Sequence, residues 1–463
     1  MEIPDFLLKR KILRNHPLLR DISDTAALDF LAKLSPECFA SVAYSRRGAC
    51  PYLQPRGGFS LWEKQRDLTV ALAAAGADFI PLTIDSHTRH NDYDRAARLL
   101  HKSEETGENL LNGYPLLAHG AISTRKLFEG LNKPVSLRHG TPDARILVEA
   151  ALDAGITEIE GGGICYCLPY SRAYPIDRAI LNWQYVDRLC AEMSSVERPI
   201  HRESFGALTA TMVPPFMVVV IQVLELLLAV QQGVKSFAVS FSQTGSMTQD
   251  LATALALRRV AEKELARVGV SDVVTRLVFH QWMGAFPHDR VKAEALIAQG
   301  AVIAAICNAD KVVIKTRNEA IGVPDPQSNA DAVVMTRYAM QLCSGHQLLG
   351  DDVVEEMNAI AFAASYVIEA VCNLDRTPLW DCIARAVRGG HIDIPFAPHR
   401  ENANRLWALR DSYRSIRVAN AGSVPLPQSF LRRERDKLGS RAGDASLNRM
   451  LNDILIMVRD NGR

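Results

Sequence analysis

Three arginines and one glutamate hold the charge in this chain that is best placed to do chemistry. Arg56 lies in Gln54-Pro55-Arg56-Gly57-Gly58, Arg89 closes Thr83-Ile84-Asp85-Ser86-His87-Thr88-Arg89, and Arg138 opens Arg138-His139-Gly140-Thr141-Pro142-Asp143. Each stands among turn formers just beyond a short apolar run. A guanidinium is planar, permanently charged and matched to a carboxylate through two parallel hydrogen bonds. Three converging guanidiniums would suit a dianion with two separated carboxylates, and would repel one another strongly in a water-poor cavity without it. The plainer alternative is three surface arginines paired with neighbouring aspartates. Their joint place at strand ends favours binding.

Glu160 is the matching acid. It ends an apolar run just before Gly161-Gly162-Gly163, where it would accept a substrate ammonium or act as a general base. A structural pairing with one of the arginines is the competing reading. Tyr166 and Tyr170, in Cys165-Tyr166-Cys167-Leu168-Pro169-Tyr170, offer hydroxyls beside it. An ammonium next to two carboxylates describes an acidic amino acid.

These residues need a scaffold that gathers the ends of many strands. Short β-branched or aromatic runs predict strands at 79–84, 134–137, 157–159, 200–204, 236–240, 273–280 and 311–314, with weaker candidates at 51–56 and 110–114. Amphipathic or apolar helices are expected at 60–75, 142–154, 177–194, 215–232, 246–268, 289–309 and 330–343. Such alternation means parallel strands with crossover helices, in either an open doubly wound sheet or a closed barrel. Arg56, Thr83, Asp85, Asn112, Arg138, His139, Glu160, Phe205, His280 and Lys315 follow the ends of different candidate strands. An open sheet concentrates its ligands at one switch point, whereas a barrel collects them from many strand ends. A (β/α)8 barrel is therefore expected over 49–350, preceded by a helical segment over 1–48 and followed by a helical and irregular extension over 351–463. Nine candidates for eight strands means that one of them lies outside the barrel.

Composition narrows the partners. With 53 basic against 52 acidic residues, nothing attracts nucleic acid or an anionic membrane. The apolar run 216–230 is broken by Gln222 and Glu225, falls short of a span, and follows Pro214-Pro215 as a buried soluble helix would. The basic N-terminus lacks the apolar core of a secretory signal, so a cytoplasmic protein is expected. The nine cysteines form no paired framework, and Cys165 and Cys167 lack redox or zinc spacing. No residue set is assigned to a metal. Gly161-Gly162-Gly163 has neither the P-loop lysine nor the dinucleotide spacing, and fits a tight passage from strand to helix.

In order along the chain, QPRGG, TIDSHTRHN, LLNGYP, RHGTPDAR, EGGGICYCLPY, FGALTATMVPP, FHQWMGAFP, KVVIKTRNEAIG and DIPFAP resemble the epsilon (E) subunit of glutamate mutase, also called methylaspartate mutase. The likeness runs from about Pro51 to the C-terminal tail. It implies a (β/α)8 barrel and the reversible rearrangement of L-glutamate to L-threo-3-methylaspartate, through radicals started by the 5′-deoxyadenosyl group of adenosylcobalamin. It also implies that Arg56, Arg89 and Arg138 clamp the substrate carboxylates and that His139, Tyr166 and Tyr170 line the substrate. Glu160 corresponds to the carboxylate that contacts the amino group and takes its proton. Gly58, Asn112, Pro169, Phe286, Lys315, Glu319 and Val323 correspond to contacts with the cobalamin or its adenosyl group.

Cobalamin proteins of this class usually carry D-x-H-x-x-G, whose histidine becomes the lower ligand of cobalt. Asp85-Ser86-His87-Thr88-Arg89-His90 begins that pattern, ends in His, and stands at the substrate face, so it reads as a chance match. The resemblance then implies that a small sigma subunit supplies the lower ligand, in a heterotetramer of two chains of each kind. Rival readings are a related mutase acting on a glutamate analogue, a cobalamin-independent barrel lyase using Glu160 with His139 or His280, and a degenerate relative that only binds an acidic amino acid.

Overall fold

The structure, a computed structural model, describes every residue except 20–21, 207–210, 323, 344–349, 376 and 459–463. Val323 and four residues of FGALTATMVPP thus lie outside the described residues. Eight short strands form one sheet: β1 (Tyr52–Gln54), β2 (Ile80–Thr83), β3 (Val135–Arg138), β4 (Glu158–Glu160), β5 (His201–Glu203), β6 (Ser236–Ser242), β7 (Val274–His280) and β8 (Lys311–Val313). Their order is β1-β8-β7-β6-β5-β4-β3-β2, with every pair parallel. The seam between β1 and β2 closes through irregular backbone bonds. The Leu53 carbonyl accepts from the Asp78 and Phe79 amides at 3.0 and 3.1 Å, and the Gly57 carbonyl accepts from the Thr83 amide at 3.2 Å. The protein is a (β/α)8 barrel.

The expected alternation holds around most of the barrel, with helices Trp62–Ala74, Arg145–Asp153, Ile176–Glu192, Pro215–Val230, Met247–Arg267, Arg290–Ile306 and Pro326–Leu342 outside it. Helix Pro215–Val230 starts with proline at a position that needs no amide donor, and its residues from Pro215 to Ala229 are all buried. Among the described residues no helix is long and apolar enough to cross a membrane.

Two stretches differ from expectation. The strand expected at 110–114 is reduced to one parallel bridge between Ile84 and Tyr114. Tyr114 donates to the Thr83 carbonyl at 2.8 Å, and Pro115 then supplies no further donor, so the ladder stops. The β2-to-β3 connection instead carries four helices: Ser86–Arg89, Tyr93–Thr106, Leu116–His119 and Ala121–Phe128. The extension after residue 350 holds, besides helices Asp351–Cys372 and Leu379–Gly389, an antiparallel hairpin of β9 (Trp407–Arg410) and β10 (Ile416–Asn420). Its turn is shaped by Asp411, whose Oδ1 accepts from the Tyr413 and Ser415 amides, both at 2.9 Å.

Both flanking segments are tied to the barrel. Helix Asp351–Cys372 packs on Met247–Arg267 and Pro215–Val230. From the N-terminal side, Arg10 and Arg14 reach Glu149 and Asp153 on a crossover helix at 3.0 and 2.6 Å. Tyr44 plugs the base of the barrel, donating its hydroxyl to Glu158 at 3.1 Å and packing on Phe79 and His201.

Candidate active site

The C-terminal ends of the strands enclose a cavity of about 220 Å³ lined by Arg56, Arg89 and Arg138 together with His139, Glu160 and Tyr170. Arg56 lies in the loop after β1, Arg89 ends the short helix that follows β2 and Arg138 ends β3, so the closure of the barrel is what brings them together. Arg138 is nearly fully buried, with Nη1 donating to Glu203 Oε1 at 2.8 Å and Nη2 facing Glu160 Oε1 at 3.2 Å. Burial opposes its charge, but Glu160 and Glu203 outweigh burial and hold the guanidinium above its ordinary value. Arg89 donates Nε to the Ile84 carbonyl at 2.6 Å, and Arg56 Nη1 meets the Met283 sulfur at 3.8 Å. Among the described residues neither forms an ion pair, and burial lowers the pKa of Arg89. The alternative of surface arginines paired with aspartates does not describe this arrangement.

Glu160 is fully desolvated. Its Oε2 accepts from the Tyr166 hydroxyl at 2.5 Å. Burial, opposed by Arg138 and reinforced by Glu203, pushes its pKa up to about 7. A carboxyl that titrates near neutrality can both accept and return a proton. Aromatic rings wall it in: Tyr166 packs on His139 at 5.0 Å and on Phe205 at 5.5 Å, and Tyr170 packs on Phe205 at 5.6 Å. His139 is held neutral, its pKa lowered to about 3 by burial and then by Arg89 and Arg202. Its Nδ1 accepts from the Thr141 amide at 3.2 Å, which leaves the proton on Nε2 as a donor.

Four residues essential to this geometry were not singled out by the sequence as members of the site. Glu203, at the end of β5, is the fixed counter-ion of Arg138; burial disfavours its charge, but Arg138 and Lys311 outweigh burial and hold its pKa far below the usual range. Arg202 faces the other way, bonding Asp187 at 2.7 Å and the carbonyls of Ile159 and Gly161 at 2.5 and 3.1 Å. The two polar interruptions in the apolar helix, Gln222 and Glu225, serve the same face. Gln222 accepts from the Ser240 amide at 2.7 Å and donates to the Phe205 carbonyl at 3.0 Å. Glu225 Oε1 accepts from the Ile164 and Cys165 amides at 2.7 and 3.0 Å, fixing the loop that carries Tyr166. Gly162 lies so close that an added Cβ would sit 2.3 Å from Glu225 Oε1. Polar residues inside an otherwise apolar helix were the available signal.

His280 approaches Glu203 at 3.7 Å, and burial lowers its pKa to about 4. Glu160, Glu203 and His280 bring ligand atoms within 4.8 Å of one another. The Arg138 guanidinium supplies positive charge between both carboxylates, while Glu160 Oε1 and both ring nitrogens of His280 accept or donate no hydrogen bond among the described residues.

The residues that the resemblance links to a cofactor surround the cavity without lining it. Gly58 and Asn112 lie near β1 and β2: an added Cβ at Gly58 would meet the Thr83 carbonyl at 2.4 Å, and Asn112 Oδ1 accepts from the Ser86 amide at 2.9 Å. Pro169 belongs to the short helix Cys167–Tyr170. Phe286 is buried against Trp282, Leu296 and Ile297. Lys315, after β8, donates to Glu319, and burial with the nearby Arg56 lowers its pKa to about 8. Asp85 caps helix Ser86–Arg89, accepting from the His87 and Thr88 amides at 2.9 and 3.0 Å.

Residues 38–461 match the methylaspartate mutase E chain family. The glutamate mutase epsilon subunit of Treponema denticola is 36% identical over 439 residues, covering 94% of this chain and 90% of that protein. That of Escherichia coli O157:H7 is 39% identical over 390 residues, covering 84% and 81%. That of Desulfitobacterium hafniense is 35% identical over 449 residues, covering 96% and 93%. With a buried glutamate and three arginines gathered at the mouth of its barrel, this chain belongs to the methylaspartate mutase E chain family, enzymes of the isomerase class.

Proposed function

We propose that the chain is the substrate-binding subunit of an adenosylcobalamin-dependent glutamate mutase, interconverting L-glutamate and L-threo-3-methylaspartate. The observation that carries this reading is the pair of guanidiniums that form no ion pair among the described residues, Arg56 and Arg89, facing the same small cavity as the Arg138–Glu160 pair. Three arginines hold two carboxylates and one glutamate receives the ammonium. Fixed charges position the substrate without reorganisation, while Tyr166, Tyr170 and Phe205 screen it from water. Glu160 takes the ammonium proton, with Tyr166 holding the carboxylate in place.

When bound, the cobalamin supplies the radical that starts the rearrangement. Asn112, Lys315 and Glu319 fit the polar parts of such a group: the Lys315–Glu319 pair offers a donor and an acceptor side by side beyond Arg56, as a ribose requires. Gly58, Pro169, Phe286 and Val323 complete the set by resemblance. By resemblance, a cobalamin-binding sigma subunit would supply the lower cobalt ligand, in a heterotetramer of two chains of each kind. Free cysteines throughout accord with a reducing cytoplasm.

The test is turnover of L-glutamate by this chain with a sigma subunit and adenosylcobalamin, each component omitted in turn. Product only in the complete mixture is expected. Binding of glutamate without product would move the reading to a glutamate analogue, and product without cobalamin would replace it with a lyase.

A further inference from the structure

The interior of this barrel carries charge where layers of branched apolar side chains are usual. Lys311, at the start of β8, is fully buried, and its Nζ donates to Glu203 Oε2 at 2.7 Å, Glu158 Oε2 at 2.8 Å and Gln54 Oε1 at 2.5 Å. It lies outside the cavity lining. We propose that Lys311 is a positioning residue that acts through Glu203, fixing Glu203 as the permanent counter-ion of Arg138 and leaving Glu160 as the carboxylate that exchanges a proton.

Two carboxylates share one guanidinium: Glu203 at 2.8 Å on Nη1 and Glu160 at 3.2 Å on Nη2. In a desolvated site one cation does not sustain two anions, so one of the pair takes up a proton as pH falls. Glu203 has a second cation, Lys311, on its other oxygen; Glu160 has the neutral Tyr166 hydroxyl there. The ammonium therefore decides which acid titrates. Among the described residues, the other ionisable groups facing the pair are His280 from β7, at 3.7 Å from Glu203, Arg56, His139 and Tyr170 across the cavity, Cys165 in the loop after β4, and Glu158, His201 and Tyr44 beneath. Glu158 shares Lys311 and receives the Tyr44 hydroxyl, which leaves Glu203 the carboxylate that passes the effect to Arg138.

Stability alone is a poor reason for this arrangement, because buried ion pairs are commonly matched or bettered by apolar side chains of the same volume. A relay from the barrel base to the site gives the buried lysine a task. The inference deepens the proposed function, since it concerns the same Arg138 and Glu160.

The test is infrared difference spectroscopy of the full chain across neutral pH, following the carbonyl band of a protonated carboxylic acid, which needs neither substrate nor cofactor. Glu225 and Asp250, which also titrate near 7, and Asp153, near 6, lie away from the substituted positions and contribute the same background to every variant. In the natural chain the remaining band is expected to vanish in Glu160→Gln. In a Lys311→Met background it is expected to survive Glu160→Gln and, once Glu158→Gln has removed the band of that second stranded acid, to vanish in Glu203→Gln. Because methionine at this position strands two buried carboxylates, Lys311→Met/Glu158→Gln is measured in parallel, removing one charge of each sign. In the complete mutase mixture either variant is expected to lower kcat/KM by about 100-fold with a shifted pH profile, as for a misplaced binding group. If the band still follows Glu160 in both backgrounds, the assignment to Lys311 is overturned. A chain that shows the spectral exchange but never turns over glutamate keeps the relay and loses the functional reading.

Discussion

Tyr166 donates its hydroxyl to one oxygen of Glu160 at 2.5 Å while Arg138 faces the other oxygen at 3.2 Å. The carboxylate thus has both oxygens engaged and still titrates at about 7, because burial outweighs both partners. A base must be ionised to receive the ammonium proton, so kcat/KM in the complete mixture is expected to rise with pH and level off above about 7. The Tyr166 hydrogen bond lowers the Glu160 pKa. Tyr166→Phe is therefore expected to move that limb to higher pH, and a pH–rate profile checks it. A limb left in place would remove Glu160 from the proton transfer.

Arg56 and Arg89 test the clamp more directly than Arg138 does, because neither shares in an ion pair among the described residues. Lysine at either position keeps the charge and loses the planar fork. A lost charged hydrogen bond is worth about 1.5–3 kcal/mol, which corresponds to roughly 10- to 100-fold in affinity. Calorimetric titration with L-glutamate is expected to show that loss for Arg56→Lys and Arg89→Lys, with thermal unfolding unchanged for Arg56→Lys and lowered for Arg89→Lys, which also loses the bond to the Ile84 carbonyl. Unchanged binding in both would put the carboxylates elsewhere.

The strand ends were legible because chemistry-bearing residues recur after apolar runs, and a barrel is the architecture that brings so many ends to one face. Inward and outward faces were not. In His201-Arg202-Glu203, Arg202 points out to Asp187 whereas His201 and Glu203 point in, to Ser236 and Arg138. Only the alternation of a known strand register separates them. Lys311 was hidden in the same way: it opens an apolar run, and its partners come from β1, β4 and β5, some 100 to 250 residues away. The four-helix passage between β2 and β3 also escaped, since its residues at 110–114 look like a strand but meet β2 in one bridge.

Gly58 separates two explanations of one residue. The family resemblance links it to the cofactor, while the structure gives it a packing task at the seam of the barrel. An added Cβ would lie 2.4 Å from the Thr83 carbonyl and 3.1 Å from Gly113 Cα, both backbone atoms that cannot swing aside. Gly58→Ala is therefore expected to lower stability by about 1–3 kcal/mol, as overpacking does. Denaturant unfolding measures it in the chain alone. Full stability together with lost cobalamin affinity would instead assign the glycine to cofactor approach.

Glu225 links stability, pH and the loop that bears Tyr166. Its carboxyl titrates at about 7 in the folded chain against an ordinary 4.5, chiefly because burial penalises the charge. Between those two values the folded state keeps a proton that the unfolded state has released. Its contribution is thus fully present below the unfolded value, falls as pH rises through the folded value, and is flat above it. Glutamine keeps an acceptor oxygen for the Ile164 and Cys165 amides and carries no charge. Glu225→Gln is expected to match the natural chain near pH 4 and to exceed it by about 3 kcal/mol at pH 8, read from denaturant unfolding at both values. Glu225→Leu leaves both amides unpaired at a cost of about 1–3 kcal/mol each, and frees the Tyr166 loop. Turnover is then expected to fall with Leu and persist with Gln, so equal loss in both would show that the charge itself, rather than the acceptor, holds the loop.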